Sequence, residues 1–232
     1  QGADRKVWHQ TEDAMPEDGL FMDKAQTRLQ RATGRAHVGL VARGAVTRLS
    51  DLHQSGSAKA FLPQVHGPVP EVVFLNTSGG MTGGDRLHYG LDLGPGARVT
   101  ATTQTAERAY RSASGVTEVS VDHRLGAGAH LDWLPQETIF FDHSALHRTT
   151  TVRLDPGASC LLLEAGILGR AVMGERVVAL DLQDRREVWR GNVPVLVEPA
   201  FGANAPGRLD ARNAGQVHIH QHRIKPAAGN QG

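Results

Sequence analysis

The chain has 232 residues, and its 25 Lys and Arg against 24 Asp and Glu give a formal net charge of +1. That length buries a core without staples, and the charge balance argues against nucleic acid as a main partner. A single cysteine excludes an intrachain disulfide and a Cys-rich zinc site, which fits a cytoplasmic protein.

No run approaches the ~18 apolar residues of a membrane helix, and the first residues lack the apolar centre of a secretory signal. With Gln at position 1, the start reads as a fragment or a processed end. Residues 1–30 read as a polar arm, with room for a short helix over 22–31. From Arg35 the pattern alternates with period two, the signature of half-buried strands. Ala36, Val38, Leu40 and Ala42 share one face; Leu87, Tyr89, Leu91 and Leu93 do so more cleanly. RVTATTQT (98–105), TEVSVDHR (117–124), AHLDWL (129–134) and TTTVRL (149–154) follow the same rule. SCLLLEA (159–165) is apolar on both faces and predicts a fully buried strand. RVVALDL (176–182) and PVLV (194–197) are further strands. TAERAYRSA (105–113) and the stretch around ILGRAV (167–172) each suit a short helix. Beyond Glu198 the chain reads as a loosely attached tail rich in Ala, Gly, Asn and Pro, with one strand, QVHIH.

A short motif recurs: LGPGARV from Leu93, LGAGAHL from Leu125 and LDPGASC from Leu154. Each unit is a strand, a Gly/Pro turn and a second strand. Stacked units of this length predict a coiled β architecture; ordinary hairpins in a sandwich explain the motif equally well.

Four features bear on chemistry. NTSGGMTGGD (76–85) packs four glycines into six positions but lacks the Lys-Ser/Thr of a phosphate-binding loop, and a strand follows it, so a tight connection is favoured over nucleotide binding. LPQETIFFDHSALH (134–147) gathers Glu137, Asp142, His143 and His147, and paired carboxylates there suit a saccharide-cleaving enzyme or simply close a loop. LGRAVMGE (168–175) holds Arg170 and Glu175. In HIHQH, His218, His220 and His222 share one strand face at roughly 6.6–7 Å spacing, a pattern that suits a borderline metal such as Ni, Zn or Cu or an exposed polar tail. Cys160 reads as a small buried hydrophobe.

Taken in order, NTSGGMTGGDRL, TTQTAERAYRS, LDWLPQETIFFDHS and LGRAVMGE resemble the urease accessory protein UreD family, called UreH in some organisms. The resemblance covers residues 31 to 197. It implies an all-β fold with an irregular, helically wound sheet of stacked hairpins and one or two short helices. It divides the chain into a polar arm (1–30), a β domain (31–198) and a tail (199–232), where the family usually continues with further strands. It implies a non-enzymatic, cytoplasmic urease maturation factor that binds urease apoprotein with UreF and the GTPase UreG. Such a factor helps deliver nickel and holds no permanent cofactor. Asp85, Glu137 and Glu175 are then candidate contacts along a polar nickel route, with Arg111 and Arg170 as alternative ion-pair partners. Carboxylates lining such a route are hydrated, so replacing them by Ala is expected to cost little stability. The competing readings are a carboxylate-dependent polysaccharide enzyme using Glu137 and Asp142, and a metal-binding module built on the histidines.

Overall fold

A computed structural model of the chain describes residues 30–65, 67–170, 173–201 and 217–227. The expected arm and its helix fall outside these residues, apart from Gln30 and Arg31, which are not helical.

Two sheets stack face to face. The first runs, in spatial order, β14 (Val193–Phe201), β13 (Leu180–Arg190), β11 (Ser144–Leu154), β8 (Thr117–Leu125), β5 (Arg86–Leu93), β1 (Thr33–Arg43) and β2 (Val46–Gly56). The second contains β3 (Ala58–Phe61), β4 (Glu71–Asn76), β6 (Arg98–Thr103), β9 (His130–Trp133) and β12 (Ser159–Leu168). It also holds the short strands β7 (Glu107–Ala109) and β10 (Thr138–Phe140), and β15 (Val217–Ile224) pairs with β12. The central pairings of both sheets are parallel. Parallel neighbours need a crossover, and here the crossover is the opposite sheet, so the chain winds as a coil. The expected all-β, wound architecture is what the chain adopts.

The recurring motif forms the tight turns of that coil. Leu93, Leu125 and Leu154 stand in register on adjacent strands. Gly96, Gly128 and Gly157 take φ of 69°, 68° and 74°, a conformation glycine adopts without a Cβ penalty. Successive turns stack through Gly96 N–H to the Ala127 carbonyl (2.9 Å) and Gly128 N–H to the Pro156 carbonyl (3.0 Å). Ala97, Ala129 and Ala158 are fully buried beneath them. The two strands of each unit enter opposite sheets, so each unit is an arch rather than a self-paired hairpin. That decides for the coil over the hairpin sandwich.

Alternation places the core as the sequence predicts. Leu87, Leu91, Leu93, Val99, Ala101, Val121, Leu131 and Trp133 are all buried between the sheets. Emptying one such leucine site costs about 2–5 kcal/mol. Cys160 is buried, as expected, and burial pushes its thiol up to about 12.

Three details differ from expectation. Glu107–Ala109 is a strand, not part of a helix, because it pairs in parallel with Thr138–Phe140; tertiary pairing overrides local helix propensity. Around ILGRAV, Ile167 and Leu168 finish β12 rather than enter a helix, and Ala171 and Val172 lie outside the described residues. The helical character that remains is 3₁₀ at Met173, whose N–H bonds the Arg170 carbonyl at 2.9 Å. Finally, β12 buries only Cys160, Leu162, Glu164 and Leu168 fully, leaving Leu161 and Leu163 half-buried on the outer face.

The second sheet is interrupted in a way that matters for the interior. β9 and β10 lie end to end against β12, with Trp133 opposite Leu162 and Thr138 opposite Gly166. Residues 134–137 therefore leave one strand line for a few positions and rejoin it. Residues 104–106 do the same between β6 and β7, beside them.

Candidate functional site

At the glycine motif the backbone is threaded tightly. A Cβ on Gly80 would lie 2.4 Å from the Tyr110 ring, and one on Gly83 would lie 2.0 Å from Ser112 Oγ. The motif is a close-packed connection, as the sequence favours. Asp85 closes it. Its Oδ1 accepts the Ala32 N–H and its Oδ2 the Thr82 N–H, each at 2.8 Å, and the residue is buried. The low cost expected for replacing a hydrated carboxylate does not fit this position, since two backbone donors depend on it.

Glu137 is half-buried at the end of the 134–137 interruption, where its carbonyl accepts the Glu107 N–H at 2.9 Å. Burial pushes the Glu107 carboxyl itself above the usual carboxylate range, against the pull of the Arg108 N–H. Glu175 is also half-buried; its Oε2 lies 3.1 Å from Arg170 Nε, and that guanidinium lies 4.7 Å from the centre of the Phe141 ring. Arg170 is thus a carboxylate partner, as expected, whereas Arg111 reaches Asp142 at 3.3 Å. Asp142 Oδ1 accepts the Val178 and Ala179 N–H groups, and its Oδ2 lies 2.7 Å from His143 Nδ1. Burial raises the Asp142 pKa, but these hydrogen bonds outweigh it and hold the carboxyl below its usual value. A carboxylate so committed to the backbone is a latch, which disfavours a polysaccharide enzyme built on Glu137 and Asp142. His147 lies 3.3 Å from Asp181.

A second polar constellation lies between the sheets, and sequence reasoning misses most of it. The inward positions of β11, β12 and β13 bring Arg148, Thr150, Glu164, Asp184 and Arg186 together, all buried or nearly so. Arg148 grips Asp184 in bidentate fashion, Nε to Oδ1 at 3.0 Å and Nη2 to Oδ2 at 2.6 Å. Arg186 donates to Glu164 Oε2 (2.6 Å), Asp184 Oδ2 (2.6 Å) and Glu198 Oε2 (3.1 Å). The other oxygen of Glu164 accepts from Trp133 Nε1 and Thr150 Oγ1, both at 3.1 Å. Burial alone would raise the Asp184 pKa; Arg148 and then Arg186 outweigh it and bring it below the carboxylate range. Burial disfavours the charged form of Arg186 too, and Glu164 and Asp184 reverse that.

Two cavities meet this layer. One, of about 50 Å³, is lined by Tyr89, Glu107, Trp133, Gln136, Arg148 and Glu164 among others, and so reaches both strand interruptions. The other, of about 20 Å³, is lined by Phe140, Arg148, Glu164, Asp184, Arg186 and His220 among others. The smaller has room for about one water and the larger for a few. Arg148 and Glu164 wall both. Asp85, Glu137 and Glu175 line neither.

The expected tail strand forms over its described residues from Val217, with Gln216 outside them, and β15 pairs along β12 from Cys160 to Ile167. His220 and His222 alternate with the exposed Gln221 and Arg223; the side chain of His218 lies outside the described residues. Glu198, on β14, joins them. His222 Nε2 lies 2.8 Å from Glu198 Oε1, His220 Nδ1 lies 3.9 Å from Glu198 Oε2, and one ligand atom from each residue falls within 4.8 Å of the others. Burial, and next the charge of Arg186, lower the His220 pKa. The signal that could have found this corner is the period of two in LDLQDRREV. Leu182, Asp184, Arg186 and Val188 all point inward, and the charges among them disguise a core strand.

The chain matches the family profile for "UreD urease accessory protein" over residues 32–219. It is 60% identical over 171 residues to a urease accessory protein UreD of Cereibacter sphaeroides, covering 74% of this chain and 62% of the relative. A protein of the same name from Dinoroseobacter shibae is 53% identical over 178 residues, covering 76% and 63%. One from Rhizobium johnstonii is 43% identical over 196 residues, covering 83% and 72%. The chain thus spans about 62% of the length of the first of these relatives. Among the described residues no helix is long and apolar enough to cross a membrane. A match across most of the chain, on a wound β fold whose glycine and WLPQET strings form its connections, has one consequence: the chain belongs to the UreD urease accessory protein family.

Proposed function

We propose that this protein is a non-enzymatic urease maturation factor of the cytoplasm. It is a scaffold that binds urease apoprotein together with UreF and the GTPase UreG, and it helps deliver nickel to the urease active site. The observation that carries this reading is the charged layer between the sheets. In a family of urease accessory proteins, a core that keeps carboxylates beside two small cavities with shared walls, with room for one to a few waters, is suited to passing a cation that exchanges most of its hydration shell for carboxylate oxygens. Oxygen ligands hold nickel more weakly than imidazole or thiolate, which favours transit over storage. Asp85, Glu137 and Glu175 line neither cavity, so a contact of theirs with the cation would lie outside this interior stretch of the route, where the half-buried Glu137 and Glu175 are more accessible than Asp85. Nucleotide chemistry belongs to UreG in this reading.

The edges of the first sheet support a partner-binding role. Strand β14 exposes Val193, Val195 and Val197, and β2 exposes Leu49 and Leu52. Edge strands with apolar side chains invite pairing with another chain. Co-purification of a tagged chain with co-expressed UreF and urease apoprotein tests the scaffold: all three recovered together supports it, and recovery of the chain alone overturns it.

A further inference from the structure

We propose that Glu198, His220 and His222 form a binding site for one divalent transition-metal cation of the Ni²⁺, Zn²⁺ and Cu²⁺ class, at the margin of the interior charged layer. The donor set is two imidazoles and one carboxylate, which suits borderline divalent cations and serves hard ones poorly. An ion roughly 2.0–2.2 Å from each donor holds its ligands about 3–3.5 Å apart. The three ligand atoms already lie within 4.8 Å of one another, so small side-chain rotations close the site.

Three further observations point the same way. Glu198 is held in place from behind, because its Oε2 accepts from Arg186 Nη1 at 3.1 Å and its Oε1 remains turned to the ring. Metal-ligating groups are oriented by such outer contacts. His222 Nε2 is buried and lies 2.8 Å from that oxygen, yet the approach is misaligned and the nitrogen has no hydrogen-bond partner. A ring nitrogen and a carboxylate oxygen brought this close without hydrogen-bond alignment are placed to share a cation as ligands. The charge also fits. Arg148 and Arg186 stand against Glu164, Asp184 and Glu198, so the linked groups carry one negative charge in excess when the imidazoles are neutral. Excess charge in a partly buried layer is costly unless paired or ligated. His220 also lines the smaller cavity, so a cation here would sit beside Glu164 and Asp184.

This site concerns metal binding by the chain alone and holds whether or not the chain acts on urease. The test is calorimetric titration of the purified full chain with Ni²⁺ and Zn²⁺, with Mg²⁺ as the hard-cation control. The expected result is about one equivalent of each transition metal and no binding of Mg²⁺. His220→Ala, His222→Ala and Glu198→Gln should each weaken binding by more than about tenfold, while His130→Ala, at a histidine bonded to Ser159 and Asp132, should leave it unchanged. Failure of the unaltered chain to bind, or unchanged binding in a His220→Ala/His222→Ala double variant, overturns the proposal. If the variants fail to fold, carbethoxylation of the unaltered chain with and without Ni²⁺ decides. Metal-dependent protection of His220 and His222, read by mass spectrometry, supports the site; equal modification overturns it.

Discussion

The glycine-motif corner around Asp85 and the layer around Glu164 and Arg186 are both polar and both buried, but they are finished differently. At Asp85 the carboxylate is spent on two backbone N–H groups that tie Ala32 and Thr82 together. In the layer, side chains from β11 to β15 answer one another, and Glu198 still faces a histidine nitrogen without a hydrogen bond. The conspicuous strings of this sequence therefore mark what the backbone needs. The buried or nearly buried charges of the layer, Arg148, Glu164, Asp184 and Arg186, come from inward strand positions that carry no motif.

The largest expected effect separates the two regions by charge. Arg186→Leu removes the closest cation from Glu164 and the arginine behind Glu198, while Asp184 keeps Arg148. It should cost about 3–5 kcal/mol in urea unfolding, whereas exchanging Arg186 and Glu164 together for apolar residues should cost less than either single change. Equal losses in all three would break the view of the layer as a coupled network. Asp85→Ala should cost about 2–4 kcal/mol, because two half-buried backbone donors lose their acceptor. Asp85→Asn, which keeps one acceptor oxygen, should recover part of this; a loss under about 0.5 kcal/mol in the Ala variant would show that water replaces the carboxylate.

A pH titration contrasts the layer with the apolar interior beside it. His123 is buried edge-on against Trp133 at 4.7 Å, neither ring nitrogen has a hydrogen-bond partner, and burial pushes its pKa down to about 3. The unfolded chain takes up this proton near the ordinary histidine value of ~6.5, the folded chain only near 3. Stability is therefore full above pH ~6.5 and falls as the pH drops toward 3, by about 2–3 kcal/mol at pH 4.5. His123→Leu should flatten that slope; an unchanged slope would assign it to other groups. The smallest effect belongs to the Arg170–Glu175 pair, where half of the Arg170 side chain is exposed. Glu175→Ala should cost below about 1 kcal/mol, so any larger effect on nickel transfer would be functional.

The sequence makes the coil legible where one face is purely apolar, as in Leu87–Leu93 of β5 and in the stacked alanines of the turns. It fails at β2, which is almost wholly exposed and shows no alternation. It fails again through most of β13, where inward Asp184 and Arg186 erase the apolar period, so only the end of that strand at Leu182 is read. Of the candidate site, His220 and His222 are visible by their spacing. Glu198 is not, because its contact with them is made only when β14 and β15 come together. Asp85, Glu137 and Glu175 stand out by their motifs, and the first of them turns out to be built into the backbone of its corner.

The central claim, that this chain promotes nickel loading of urease, is tested most directly by metal analysis of urease purified after co-expression with UreF and UreG, with and without the chain. The account predicts more nickel per active site when the chain is present. It predicts a reduced gain when Arg148 and Glu164, which wall both cavities, are replaced together by apolar residues and the complex still assembles. Equal nickel content with and without the chain would contradict it.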